Sequence, residues 1–464
     1  MQLAAPKMTY SSEAFESVWE QTLNYIIATT EAAELELASG GGERKNSGSF
    51  YTPADVASHF WDLFFRHHEV NDAAALRALI ARTDFVEPSA GSGIFVFSFI
   101  RKALSFGLSP QELAGLRFHV IDINLAALSF FKSTMKELEN TLGERFPNIG
   151  CDQIDFLDWS HAAALNDVSF VGNPPFVTNP RGSRWRNLFA DFLEAMLHFK
   201  ARTRAISLIL PVSICFSRDY GDLRHLIEMS GLGISASSYD NIPDCLFKSG
   251  KPESTNTNRA NSQRCTILNL GGSDPRCREA SSMQRWSAKE RTKTLSRIPE
   301  FQHYRSNGFL GQIPRPESRR IMAYLSDAEQ ALPLRSMLSG CAKPAFAIGG
   351  VARNFIGVRE IENGAPGAIV LRPSSEKDLL VLLQVITSGI FLEYWRTLGD
   401  GFHVTSDLVT RFPVNPALRH ACECNLPLAK RVWENRQSYV KEKLNSGKIV
   451  RSYDFTGAFG HSLL

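Results

Sequence analysis

Phe85-Val86-Glu87-Pro88-Ser89-Ala90-Gly91-Ser92-Gly93 reads as a short strand that runs into a glycine turn and then a helix from Ile94. Ligands of open α/β sheets sit beyond the carboxyl ends of the strands, and glycines there let the backbone come close to them. The turn is not the dinucleotide fingerprint, because Val96 stands where the third glycine belongs. No lysine follows as in a P-loop. An acid at the strand end, Glu87, suits a ligand carrying an amino group better than a pyrophosphate. Outward from this stretch the pattern repeats. Phe118-His119-Val120-Ile121 is a second strand, followed by a helix over Leu125–Leu138. A third strand precedes Asp155, a fourth ends at Gly172, and Ala205–Leu210 is a fifth. Strands alternating with helices predict an α/β fold, a doubly wound and mostly parallel sheet.

Two more strand ends carry acids. Asp122, followed by Ile123, is placed to accept ribose hydroxyls, and Asp155 to accept an adenine amino group with Phe156 against the ring. Helix capping is the competing reading for both aspartates. The fourth strand, Val168-Ser169-Phe170-Val171-Gly172, hands over to Asn173-Pro174-Pro175-Phe176. The Asn173 amide and the Pro174 carbonyl place acceptors in one small arc, and proline contributes no competing N–H. The residue before proline is biased to extended geometry, which fixes how Asn173 is presented. Phe176 adds a flat face. Acceptors for an amino group beside a stacking ring suit a flipped adenine.

Together these residues resemble an S-adenosylmethionine-dependent adenine-N6 DNA methyltransferase of the gamma order, in which cofactor motifs precede the catalytic motif and a target recognition domain comes last. Ser49-Phe50-Tyr51-Thr52-Pro53 resembles the family's N-terminal cofactor motif, and Glu87–Gly93 its glycine loop. Asp122, Ile123, Asp155 and Phe156 match its ribose- and adenine-contacting positions, and Asn173–Phe176 its catalytic tetrapeptide. Ile242-Pro243-Asp244 to Phe247 resembles the segment that lends a second aromatic to the flipped base. The resemblance implies a class I methyltransferase fold. It implies a cofactor site built from Thr52, Pro53, Glu87, Pro88, Ser89, Ala90, Gly91, Gly93, Asp122, Ile123, Asp155 and Phe156. It further implies catalysis by Asn173, Pro174, Pro175 and Phe176, base stacking by Phe176 and Phe247, and no metal. Related enzymes methylate a protein glutamine or an RNA amino nitrogen, the former usually with tyrosine at the Phe176 position. A non-catalytic DNA-binding subunit of the same fold is a reading from another class.

The chain has 464 residues, 44% hydrophobic and 21% charged, with a net charge of +3. That is an ordinary globular composition, long enough for roughly two to four domains. The total charge implies no general polyanion binder, but basic residues outnumber acidic ones from Lys251 to Arg297. Eight cysteines without CxxC pairs favour reduced thiols over zinc or disulfides. No membrane span or signal peptide is legible, so a cytoplasmic protein is expected. The expected organisation is a helical segment over 1–45, a methyltransferase domain over 46–271, a mixed α+β recognition domain over 272–416, and a helix with a tail over 417–464. The helical pattern over Leu426–Leu444 places that last helix. Arg181, Arg184 and Arg186 beside Trp185 suit phosphate contact near the flipped nucleotide. Arg315, Arg319, Arg320 and Arg353 are candidate contacts in the second domain. The implied partner is duplex DNA, bound by a monomer or with an associated restriction or specificity subunit.

Overall fold

The computed structural model describes residues 12–39, 52–163, 165–199, 202–241, 243–247, 263–305, 311–327, 330–339, 345–352, 354–361, 367–445 and 448–459. Ser49, Phe50, Tyr51, Ile242, Arg353 and the polar stretch 251–262 fall outside them. By internal contact the chain divides into two units. The first comprises Met1–Ile214, Asp222–Glu279 and Gln284–Pro299, and the second Cys215–Gly221, Ala280–Met283 and Glu300–Leu464.

The first unit is built on β1 (Asp84–Glu87), β2 (Arg117–Asp122), β3 (Ile149–Gln153), β4 (Asp167–Gly172), β5 (Arg202–Pro211), β6 (Gly233–Tyr239) and β7 (Cys265–Gly271). Their order is β3-β2-β1-β4-β5-β7-β6, parallel except for β7, which runs antiparallel to both β5 and β6. The doubly wound, mostly parallel sheet is therefore the expected one. Both faces of β1 are covered, since Phe85 and Val86 are fully buried. Helix Ala54–His67 packs an aromatic stripe on the sheet, with Trp61 4.8 Å from Phe99 between ring centroids and its indole N–H donating to the Phe95 carbonyl. Helix Ser12–Ser39 packs on helices Ile94–Ser105 and Leu125–Leu142. It is thus part of this unit and not a separate segment.

β6 carries no strand signal in the sequence, since Gly-Ile-Ser-Ala-Ser-Ser-Tyr lacks branched or aromatic alternation. It forms because all seven residues are buried and its polar groups bond internally. Thr266 donates to the Ser237 carbonyl, and the Ser237 hydroxyl donates to Tyr239 Oη. That leaves the Tyr239 proton for His59 Nε2, 2.6 Å away, the partner a neutral imidazole needs.

The second unit is mixed α+β, as expected, but its bounds differ. Residues 284–299, basic and polar, belong to the first unit, and the C-terminal residues belong to the second. The single helix expected over Leu426–Leu444 stops at Glu434. Strands Val440–Asn445 and Lys448–Tyr453 then pair antiparallel and join a five-stranded sheet. Their alternating sequence fits helical and extended spacing equally over so short a run, and the sheet partner decides. Helices Glu376–Ile386 and Gly389–Leu398 form the core of this unit, with Phe412 packed against Phe391 and Tyr394. No single described helix is long and apolar enough to cross a membrane.

His59 and His67 are buried, and burial lowers each from 6.5 to about 4. Above pH 6.5 both folded and unfolded chains hold these imidazoles neutral. Between 6.5 and about 4 only the unfolded chain takes up the protons, so stability is lost as pH falls through that window. The melting temperature should drop over this interval, and His67→Gln should remove part of the slope. A flat melting profile there would contradict the burial argument.

Candidate active site

The site forms where the strand order turns from β1 outward in both directions. β1 pairs in parallel with β2 through Glu87 and Val120, and with β4 through Val86 and Phe170. The glycine loop after β1 is thereby set beside both Asp122 and Asn173. Gly93 has φ of +86°, and a Cβ there would lie 2.3 Å from the Phe131 ring, so only glycine lets the loop sit on helix Leu125–Leu142. The Gly91 N–H donates to Asp122 Oδ2 at 2.8 Å, and the Asn124 N–H to Oδ1 at 2.8 Å. The Ala90 N–H donates to the Ile121 carbonyl. Burial raises the Asp122 carboxyl above its ordinary value, opposed by the N–H groups of Asn124, Gly91 and Ile123.

Beside this half-buried acid, Ile123 is 67% exposed, and Ile154 just after β3 is 37% exposed. The two are adjacent, since the Ile154 N–H donates to the Asp122 carbonyl. A carboxylate flanked by apolar side chains open to solvent fits a nucleoside, with hydroxyls on the acid and the ring on the isoleucines. Sequence reasoning missed Ile154, which has no motif of its own. Phe156, in contrast, is corrected: it is 1% exposed and packs on Trp159, Phe170 and Phe192. Its ring is a core element and presents no face to a ligand.

Asp155 caps helix Phe156–Ala162, accepting from the Leu157 N–H at 2.8 Å. Its Oδ2 also meets Arg181 at 2.6 Å, and Arg181 reaches Asp158 at 3.2 Å. Asp155 therefore caps this helix, and Arg181 lies on both Asp155 and Asp158 of the helix it starts.

The catalytic tetrapeptide candidate joins the same loop. Ser89 Oγ donates to the Asn173 carbonyl at 2.9 Å. Asn173 Nδ2 donates to Thr52 Oγ1 at 3.2 Å. Thr52 is buried, and Pro53 after it takes the cap position of helix Ala54–His67 with no side-chain cap bond. Gly172, with φ of +141°, brings β4 so close to β1 that a Cβ would meet Glu87 Cγ at 3.4 Å. Glu87 itself is buried at the strand end, and Pro88 follows it against Gly172. Pro174 is buried, and Pro175 and Phe176 are half-buried. The Phe176 and Phe247 rings stand 6.1 Å apart at 64°. An intercalated base needs roughly 7–8 Å between parallel rings, two contact distances of about 3.5–4.0 Å. Phe247 must therefore turn or retreat to admit one.

Arg291 is a further residue that the sequence left among the basic run. It is 7% exposed and forks onto Asp55, Nε to Oδ2 at 2.6 Å and Nη2 to Oδ1 at 3.0 Å. Its Nη1 and Nη2 also donate to the Cys245 and Leu246 carbonyls, each at 2.7 Å.

Among the candidate DNA contacts, Arg186 is exposed. Arg184 lies 4.4 Å above the Trp185 ring and pairs with Glu194. In the second unit Arg319 is exposed and pairs with Glu300 at 2.9 Å, and Arg320 pairs with Glu393. Arg315 is corrected: it is fully buried, donating to the Gly399 carbonyl with its guanidinium 4.9 Å from the Phe216 ring. It cannot reach a phosphate without opening that unit. Among the described residues, His67, Cys277 and Glu279 bring three ligand-type atoms within 4.8 Å of one another. Arg66 holds both Glu279 oxygens, so the group reads as an ion pair beside a neutral imidazole.

No model of a known protein family matches the chain, and no curated protein matches it. Among solved structures it is similar to the Type IIL restriction-modification enzyme MmeI in complex with DNA, at TM-score 0.49 and 12% identity, over 86% of this chain and 72% of that one. It is similar to the DrdV–DNA complex at TM-score 0.44 and 14% identity, covering 72% of this chain but only 38% of DrdV. A type I restriction-modification methyltransferase subunit from Streptococcus thermophilus gives TM-score 0.37 and 16% identity, over 57% and 58% of the two chains. Assignment of activity rests on the residues of the site.

Phe156→Ala should cost about 3–5 kcal/mol of stability, the usual range for a buried phenylalanine, while Ile123→Ala should leave stability nearly unchanged. Chemical denaturation of the two variants checks this, and equal costs would place Phe156 back at a ligand face.

Proposed function

We propose that this chain is a site-specific DNA methyltransferase that transfers a methyl group from S-adenosylmethionine to N6 of a flipped adenine in duplex DNA, within a restriction–modification or phage-defence system. The observation that carries the reading is the seat of Asn173. Its backbone is tied to the glycine loop through Ser89 and its side chain to Thr52. An amino-group acceptor thus stands beside the glycine loop that bonds Asp122, with Phe176 and Phe247 next to it.

The residues divide the work as follows. Asp122 takes the ribose hydroxyls, and Ile123 and Ile154 cover the cofactor's adenine. S-adenosylmethionine supplies an electrophilic sulfonium methyl. With Nδ2 committed to Thr52, Asn173 Oδ1 is the carboxamide's acceptor for the N6 amino group. Together with the Pro174 carbonyl it draws the nitrogen lone pair out of ring conjugation and aims it. Asn173 is neutral, so it is no general base: the S–CH3 bond breaks as the N6–CH3 bond forms, the surplus N6 proton passes to water afterwards, and the rate comes from positioning and electrostatics. Phe176 stacks on the flipped base, a contact worth about 1–3 kcal/mol. A phenylalanine at position 176 favours a nucleobase over a protein glutamine, for which tyrosine is usual among the enzymes this chain resembles. Arg186 and Arg319, exposed, are the best placed of the candidate arginines for phosphate contact.

Incubation with labelled S-adenosylmethionine and duplex DNA, RNA or protein tests the reading. Label should enter adenine of duplex DNA. Asn173→Ala should abolish transfer while calorimetric cofactor affinity stays within a few-fold. Label in RNA or protein alone, or full transfer by the alanine variant, would refute it.

A further inference from the structure

Phe176 and Phe247 come from distant parts of the chain, and their separation decides whether a base fits between them. Phe176 is held by the strand end that carries Asn173. Phe247 lies in residues 243–247, which have no regular secondary structure, so side-chain contacts must fix it. Three successive carbonyls of that segment accept side-chain hydrogen bonds. Arg291 takes those of Cys245 and Leu246, each at 2.7 Å, and the Cys245 thiol donates to the Phe247 carbonyl at 2.7 Å. Asp244 is tied as well, its N–H to the Trp286 carbonyl at 3.2 Å and its carboxylate to the Trp286 indole at 3.2 Å.

The same guanidinium grips Asp55 with two parallel bonds. Asp55 lies in the first turn of helix Ala54–His67, three residues after Thr52, the acceptor for Asn173. The contacts close a ring: Asn173 to Thr52, along the chain to Asp55, across to Arg291, on to Cys245–Phe247, and back to Phe176. Arg291 bonds both halves directly, Asp55 on one side and the Cys245 and Leu246 carbonyls on the other. Only a planar guanidinium fills this role, because its fork meets a carboxylate on one edge while further N–H groups meet carbonyls on another. Lysine offers the charge without the span. Arg291 is also nearly buried, so phosphate contact is not its use.

We propose that Arg291 is a positioning residue, which sets Phe247 opposite Phe176 and so controls how well the flipped base is held. This rests on the base-methylating function proposed above. Arg291→Lys keeps the ion pair with Asp55 and loses the carbonyl clamp, and Asp55→Asn loosens the clamp from its other end.

The test reads both variants against wild type in the full chain. Without any substrate, amide hydrogen exchange of residues 244–247 should rise in both. With 2-aminopurine at the target position, the fluorescence gained on flipping should shift in Arg291→Lys. The catalytic constant should fall roughly tenfold or more, with S-adenosylmethionine affinity unchanged. Phe247→Ala combined with Arg291→Lys should be no worse than Phe247→Ala alone, because the two act through one contact. Unchanged exchange and an unchanged catalytic constant would overturn the proposal. So would a parallel loss of cofactor affinity and melting temperature in both variants, which would assign Arg291 to folding alone. If wild-type protein methylates no DNA while exchange still rises in the variants, the function proposed above fails and the clamp stands.

Discussion

The pairing of β1 between β2 and β4 is the constraint on which the rest of this molecule depends. Parallel strands have their carboxyl ends on one side, so the loops after β1, β2 and β4 are forced into one neighbourhood. The glycine loop then bonds sideways in both directions, through Gly91 to Asp122 and through Ser89 to the Asn173 backbone. A register slip of one residue would turn Phe85 and Val86 over and detach both bonds. Complete burial of these two side chains opposes any such slip. Packing energy in the sheet thus holds polar groups at its rim.

Around that rim, ion pairs position loops more than they stabilise the fold. Arg181 spans Asp155 and Asp158 at the mouth of the strand ends, while Arg291 spans Asp55 and two carbonyls. The two differ in exposure, which sets their character. Arg181 is solvated and easily exchanged for another partner, as surface pairs are. Arg291 is nearly dry, so removal of one partner strands a charge and the geometry is strongly specified. One arrangement suits a residue that must give way to a ligand, and the other a residue that must not move.

The chemistry-bearing motifs were legible because they are local. Proline and glycine fix backbone geometry within a few residues, and alternation of strands and helices follows from periodicity. β1 to β5, the glycine loop and Asn173–Phe176 could therefore be placed from sequence, as could the helix starts at Ile94 and Leu125. Boundaries set by distant partners could not. Residues 284–299 read as the basic start of a recognition domain, yet they belong to the first unit, where Arg291 anchors them to Asp55. The Ser-rich β6 is a strand only because β7 pairs with it and satisfies its hydroxyls.

The sequence alone determined the order of the sheet's motifs, the identity of the strand-end acids and the acceptor–ring pair at Asn173 and Phe176. Only the tertiary structure decided which similar residues face which way. Phe156 went into the core and Ile123 stayed outside; Arg315 was buried on Gly399 while Arg319 remained exposed. The physical reason is common to these cases. Residue type fixes what a side chain can bond or bury, whereas burial itself is a property of everything packed around it, contributed by segments far away along the chain.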